Sequence, residues 1–153
     1  MRISPEIGMN IVTEMKKIIH EDLTFMDTSG QIIACTDEKR IGDFHAASRK
    51  MLDEGLKELT VPDEDTYAGT RSGINLALEI EGQIVGVVGI TGKESEVSRY
   101  GQVVKKMTEI LLMENDLKEQ RLRERRARNR FLQEWLMADE LRMNPALTNE
   151  GLA

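Results

Sequence analysis

The sequence predicts an α+β domain, in which a central antiparallel sheet of about five short strands is flanked by helices and followed by one long C-terminal helix. Three observations predict it. Ile74, Leu76, Leu78 and Ile80 alternate with Asn75, Ala77 and Glu79, and Glu81-Gly82 then turns the chain into the apolar run 84–90, which is the pattern of a β-hairpin. Ile7, Ile11, Met15 and Ile18 recur at helical intervals near the start. No proline or glycine interrupts residues 102–144, which leaves room for a long uninterrupted helix.

The elements follow in order. Ser4 before Pro5 is a helix start, with proline at the first helical position, and the helix runs over about residues 5–20. Residues 23–26 and 31–35 are strand candidates joined by Asp27-Thr28-Ser29-Gly30, which is turn chemistry. Asp43 is the expected cap of a second helix that passes through Ala46 and Leu52 and stops at Gly55, which places His45 early in that helix. Residues 56–61 form a third strand closed off by Pro62, and 62–72 is a polar loop. Gly86 and Gly89 thin the side-chain cover of the last strand. From about residue 94 the pattern is helical, with a stripe of Val103, Met107, Ile110 and Leu117. The stretch 116–130 holds seven Lys/Arg against three Asp/Glu, and apolar residues return at Phe131, Leu132, Trp135 and Leu136. This order of elements is similar to PAS-type layouts. Residues 1–140 read as one domain that includes the long helix from about 94, and 141–153 read as a linker or chain end.

Composition excludes several classes. Aromatics are 4% of the 153 residues, too few for a base-stacking platform, and the net charge of −6 disfavours attraction to DNA or to an anionic membrane. No apolar run approaches the ~20 residues of a membrane helix, and the N-terminus lacks the apolar core of a secretion signal. Cys35 is the one cysteine, so no internal disulfide forms, and a reduced cytoplasmic setting is expected.

Gly89-Ile90-Thr91-Gly92-Lys93 fails as a phosphate loop, because Val87 stands where the first glycine belongs and Glu94 where Ser or Thr belongs. His20, His45 and Cys35 have no metal-ligand spacing, and no base accompanies a nucleophile. The expectation is therefore no metal, no cofactor and no enzymatic activity. The basic stretch 118–130 reads as a solvated helix or coiled-coil exterior.

Two segments are rich in hydrogen-bond donors. In the first, Arg40, Ile41 and Gly42 precede His45, where an Arg can grip a carboxylate and the start of a helix offers free N–H groups. In the second, Arg71, Gly73, Ile74 and Asn75 lead into a strand, and Gly73 permits close approach of a ligand to the backbone. Taken by spacing alone, these read as an exposed arginine, a surface histidine and a loop entering a strand more readily than as a site.

Longer motifs change that balance. Phe25-Met26-Asp27, Gly30-Gln31-Ile32-Ile33, Arg40-Ile41-Gly42-Asp43-Phe44-His45 and Gly73-Ile74-Asn75-Leu76-Ala77-Leu78 occur in order, followed by the glycine-punctuated stretch 82–92 and Arg99-Tyr100-Gly101. Over about residues 5–140 the chain resembles the sugar diacid recognition domain of bacterial carbohydrate diacid regulators. The resemblance implies a sensor domain that binds a sugar diacid such as glucarate or galactarate, or a related acid such as glycerate. It also implies a helix-turn-helix region that binds DNA and is not in this sequence. Arg40, Ile41, Gly42, His45, Arg71, Gly73, Ile74 and Asn75 become the expected ligand contacts. Ala34-Cys35-Thr36-Asp37 departs from the serine- and glycine-rich stretch of the family, which bears on the identity of the acid. The apolar faces of the first and last helices suggest a homodimer. The rival reading is an α+β dimerisation module without a ligand.

Overall fold

The computed structural model describes residues 3–63 and 66–143. The elements are α1 (Pro5–Ile19), β1 (Leu23–Met26), β2 (Ile32–Cys35), a 3-10 turn (Glu38–Arg40), α2 (Ala46–Glu54), β3 (Glu58–Val61), β4 (Gly73–Ile80), β5 (Gln83–Thr91), α3 (Glu94–Val97) and α4 (Gly101–Met143). The strands form one five-stranded sheet in the order β2-β1-β5-β4-β3, and every pairing is antiparallel. This is the α+β architecture expected from the sequence, and it is compatible with a PAS-like layout.

The β4–β5 hairpin turns on Glu81 and Gly82 with φ of 52° and 78°, two successive positive values whose twist matches that of the flanking strands. Its register slips by one residue between Leu78 and Glu79, where Leu78 pairs with Gly86 and Glu79 with Ile84, so Val85 is a bulge.

Alternation sorts the side chains onto two faces. On one face Leu23, Phe25, Ile74, Leu76, Leu78, Val88 and Ile90 pack with Ile11, Val12 and Met15 of α1 and with Val104 and Leu112 of α4. On the other, Met26, Ala77 and Val87 pack with Ile32 and Cys35 of β2 and with Met51 of α2. Both helices at the chain ends thus cover one face, and α2 covers the opposite one.

The chain divides into two units, 1–114 and 115–153. In the first, α4 buries Gly101, Val104, Thr108 and Leu112. The apolar stripe expected from the sequence lies elsewhere on the same helix: Val103, Met107 and Ile110 are exposed. At Gly101 the helix approaches the sheet closely, with Leu76 Cδ1 3.2 Å from where a Cβ would stand, and the line that follows from this contact is the buried one. Glu109 adds a polar tie. β3 begins at Glu58, opposite Leu76, so Glu79 has no strand neighbour on that side, and its backbone N–H donates to Glu109 Oε2 at 2.7 Å.

In the second unit α4 continues to Met143, and Leu117, Leu122, Phe131, Leu132, Trp135 and Leu136 are exposed along it. Residues 141–143 of the expected linker are helical, and the rest of it lies outside the described residues. Among the described residues no helix is long and apolar enough to cross a membrane.

Candidate ligand-binding site

The face that carries α2 is not apolar throughout. Thr24 and Asn75 both pair with Gly89, from β1 and β4 respectively, and Cys35 continues the row beyond Thr24. Thr24 and Asn75 are buried polar side chains, and the glycine between them leaves a gap in the floor. Gly73, one row along, is forced by its surroundings: φ is 155°, and a Cβ would lie 2.0 Å from Ile90 O.

Over this floor the chain closes a hollow lined by Thr24, Arg40, His45, Arg71, Gly73, Ile74, Asn75, Gly89, Ile90 and Thr91. It holds about 210 Å³ including the part open to solvent, and its enclosed part admits roughly one water molecule. Arg40 comes from the 3-10 turn after β2, His45 from the start of α2, and Arg71 from the loop into β4.

His45, rather than the expected Asp43, is the N-cap of α2. The cap must accept a backbone N–H, and His45 Nδ1 accepts from Ser48 N at 3.2 Å. With Nδ1 spent as an acceptor, the ring proton sits on Nε2 and serves as a donor. Burial, reinforced by the Arg40 charge, lowers the imidazole pKa to about 4, so the ring is neutral at pH 7.

The free N–H groups expected at the start of α2 are not free. Ala46 N donates to Ala68 O at 3.0 Å, Ala47 N to Thr70 Oγ1 at 3.3 Å and Ser48 N to His45. The loop before β4 satisfies them by folding over the helix start. What remains for a ligand are side chains: two guanidinium groups, the His45 Nε2–H, the Asn75 amide and the Thr24 hydroxyl.

Both arginines are held by the protein. Arg40 Nη2 donates to Gly69 O at 2.7 Å, and its Nη1 reaches Thr24 Oγ1 at 3.5 Å. Arg71 Nη2 pairs with Asp37 Oδ2 at 2.8 Å. Thr36 is occupied elsewhere, donating to Asp22 Oδ1 at 2.8 Å. Lys16 and then Thr36 hold the Asp22 carboxyl below the usual range by hydrogen bonding.

Of the residues expected from the sequence, Arg40, His45, Arg71, Gly73, Ile74 and Asn75 come together around the hollow, while Ile41 and Gly42 are exposed and do not line it. Thr24, Gly89, Ile90 and Thr91 were missed. The one available signal was the glycine at 89 inside an apolar strand. A larger hollow at the start of α1 is lined by Ile3, Ser4, Pro5, Asp27, Thr28, Ser29, Gln31, Ile33 and Val85. Its one charged lining group is Asp27, which repels a carboxylate. Among the described residues no three His, Cys, Asp or Glu gather as a metal site would require.

The family described as "Putative sugar diacid recognition" matches residues 3–135. The chain belongs to the sugar diacid recognition family. The Carbohydrate diacid regulator of Escherichia coli is 33% identical over 150 residues, covering 95% of this chain and 38% of that protein. An uncharacterized protein of Bacillus subtilis is 30% identical over 141 residues, covering 92% of this chain and 38% of that protein. The sugar diacid recognition domain thus spans well under half the length of these curated relatives. Among solved structures, type II free methionine-R-sulfoxide reductase from Thermoplasma acidophilum overlaps 69% of this chain and 92% of that chain at 10% identity, with a TM-score of 0.45. The chromophore-binding domain of a bacteriophytochrome from R. palustris overlaps 75% of this chain and 56% of that chain at 11% identity, again with a TM-score of 0.45.

Proposed function

We propose that this chain is the ligand-sensing domain of a bacterial transcription regulator, binding a small carboxylate in the hollow above Gly89 and passing the signal through α4 to a DNA-binding region. The ligand class is a sugar diacid such as glucarate or galactarate, or glycerate. The observation that carries the reading is the convergence of Arg40, Arg71 and a neutral His45 on a floor of Thr24, Gly89 and Asn75. These groups recognise an anion and its hydroxyls, and the role proposed for them is binding without transformation. The family membership and the name of the Escherichia coli relative support the same class. The protein works in the cytoplasm, where such a regulator meets both its ligand and DNA.

Strand β4 offers the route. Gly73 and Asn75 line the hollow on one face of the sheet, while the Ile74 and Leu76 side chains face Gly101 of α4 on the other. A ligand that shifts this strand shifts the seat of the helix, provided it binds the two arrangements unequally.

The test is calorimetry with glucarate, galactarate and glycerate on the wild type and Arg40→Ala. Binding by the wild type and its loss in the folded variant is the expected result. Unchanged affinity in Arg40→Ala removes the site assignment. A concentration-dependent rise in melting temperature with the same acids checks binding independently.

A second reading is favoured by one observation, the exposed apolar Val103, Met107 and Ile110 on α4. The domain is then a homodimerisation module without a ligand, and no acid moves its melting temperature. The two roles are compatible in a dimeric sensor, and the acid screen decides whether the second stands alone.

A further inference from the structure

Asp37 stands at the start of the 3-10 turn that carries Arg40. Its Oδ1 accepts the Lys39 N–H at 3.2 Å, and its Oδ2 is 2.8 Å from Arg71 Nη2. Arg71 lines the hollow and Asp37 does not. A carboxylate of the protein therefore already holds the guanidinium that faces the space where a ligand carboxylate would sit. The two side chains are about a third exposed, at 34% and 33%, so the pair is partly hydrated and its partner can be exchanged at modest cost. The hollow as it stands encloses roughly one water, and Arg71 belongs to the same loop that folds over α2 through Ala68 and Thr70.

We propose that Asp37 is a built-in competitor for the ligand carboxylate: it occupies Arg71 in the empty domain, holds the loop before β4 closed, and yields the guanidinium when an acid enters. The inference rests on the carboxylate-site reading above. It assigns Asp37 the role of setting the affinity threshold of the sensor. An organising role, in which Asp37 orients Arg71 for the ligand, predicts the opposite effect on affinity when the charge is removed.

The experiment titrates D-glycerate and D-glucarate into the wild type, Asp37→Asn and Glu38→Gln, followed by calorimetry. Asn retains an acceptor for the Lys39 N–H, so the turn keeps its cap. Glu38→Gln removes an equal charge one residue away and reports the general field. The expected result is affinity about fivefold tighter in Asp37→Asn, with Glu38→Gln close to the wild type. Should Asp37→Asn lose its fold by circular dichroism, Asp37→Ser serves the same purpose. Wild-type binding with unchanged or weaker affinity in the Asp37 variant overturns this inference and leaves the sensor reading intact. Binding by the Asp37 variant alone supports both. Absence of binding by every protein overturns both.

Discussion

Thr24 and Asn75 face each other across Gly89, all three in one cross-strand row on the face that α2 covers. The glycine is the only member of the row's centre without a side chain, and its φ is not one that excludes a Cβ. Space, rather than backbone conformation, is what a larger residue would disturb. A Cβ at Gly89 would stand 2.8 Å from Asn75 Oδ1 and 3.6 Å from Met26 Cε.

Gly89→Ala is therefore expected to fold, with a stability cost of about 1–2 kcal/mol for displacing the Asn75 side chain. Acid binding should fall by at least about tenfold, because the methyl enters the floor of the hollow and moves a recognition group. Denaturant unfolding and calorimetry on the same preparation separate the two effects. Full affinity in the variant would show that the ligand does not use this floor.

His45 makes the domain sensitive to acid. Its pKa is about 4 in the folded chain against 6.5 for a free imidazole. Below about pH 6.5 the unfolded chain takes up a proton that the folded chain refuses, so the contribution of His45 is fully present above that pH and is lost as pH falls toward about 4. The melting temperature should decline across this window. His45→Asn, which can still accept from Ser48 N, should flatten the decline. An equal slope in both proteins would refute the assignment of the buried ring as neutral.

Thr108 is fully buried on α4, and its hydroxyl has no hydrogen-bond partner. Thr108→Val keeps the shape and removes the unpaired group, so stability should rise by about 1 kcal/mol. For a chain of this size that is a melting-temperature gain of about 2–4 °C. A loss of stability would mean that the hydroxyl is satisfied in solution.

Glu109 accepts the Glu79 backbone N–H where β3 no longer accompanies β4. Glu109→Ala strands that N–H and should cost about 1–2 kcal/mol, whereas Glu109→Gln supplies a carbonyl oxygen and should cost less than half as much. Chemical denaturation of both variants gives the comparison. If the two cost the same, charge rather than hydrogen bonding holds the helix to the strand.

The order of residues was enough for the α+β class, the strand alternation, both hairpins and the first helix, because each depends on residues a few positions apart in the chain. It also determined which residue types can recognise an anion, and it brought Arg40, His45, Arg71 and Asn75 into consideration. How they meet follows from packing. A hairpin running without a bulge from the Ile80–Gln83 pair would set Asn75 opposite Val88; the bulge at Val85 sets it opposite Gly89 instead and so creates the floor. The cap of α2 passed from Asp43 to His45, and the N–H groups of that helix were taken by a loop more than twenty residues away, at Ala68 and Thr70. On α4 the buried line became Gly101, Val104, Thr108 and Leu112 rather than the more apolar stripe beside it. In each case the deciding partner is distant in sequence. Periodicity tells a chain which of its faces are apolar or polar, but which neighbour satisfies each hydrogen bond, and how closely, is fixed only when the elements pack.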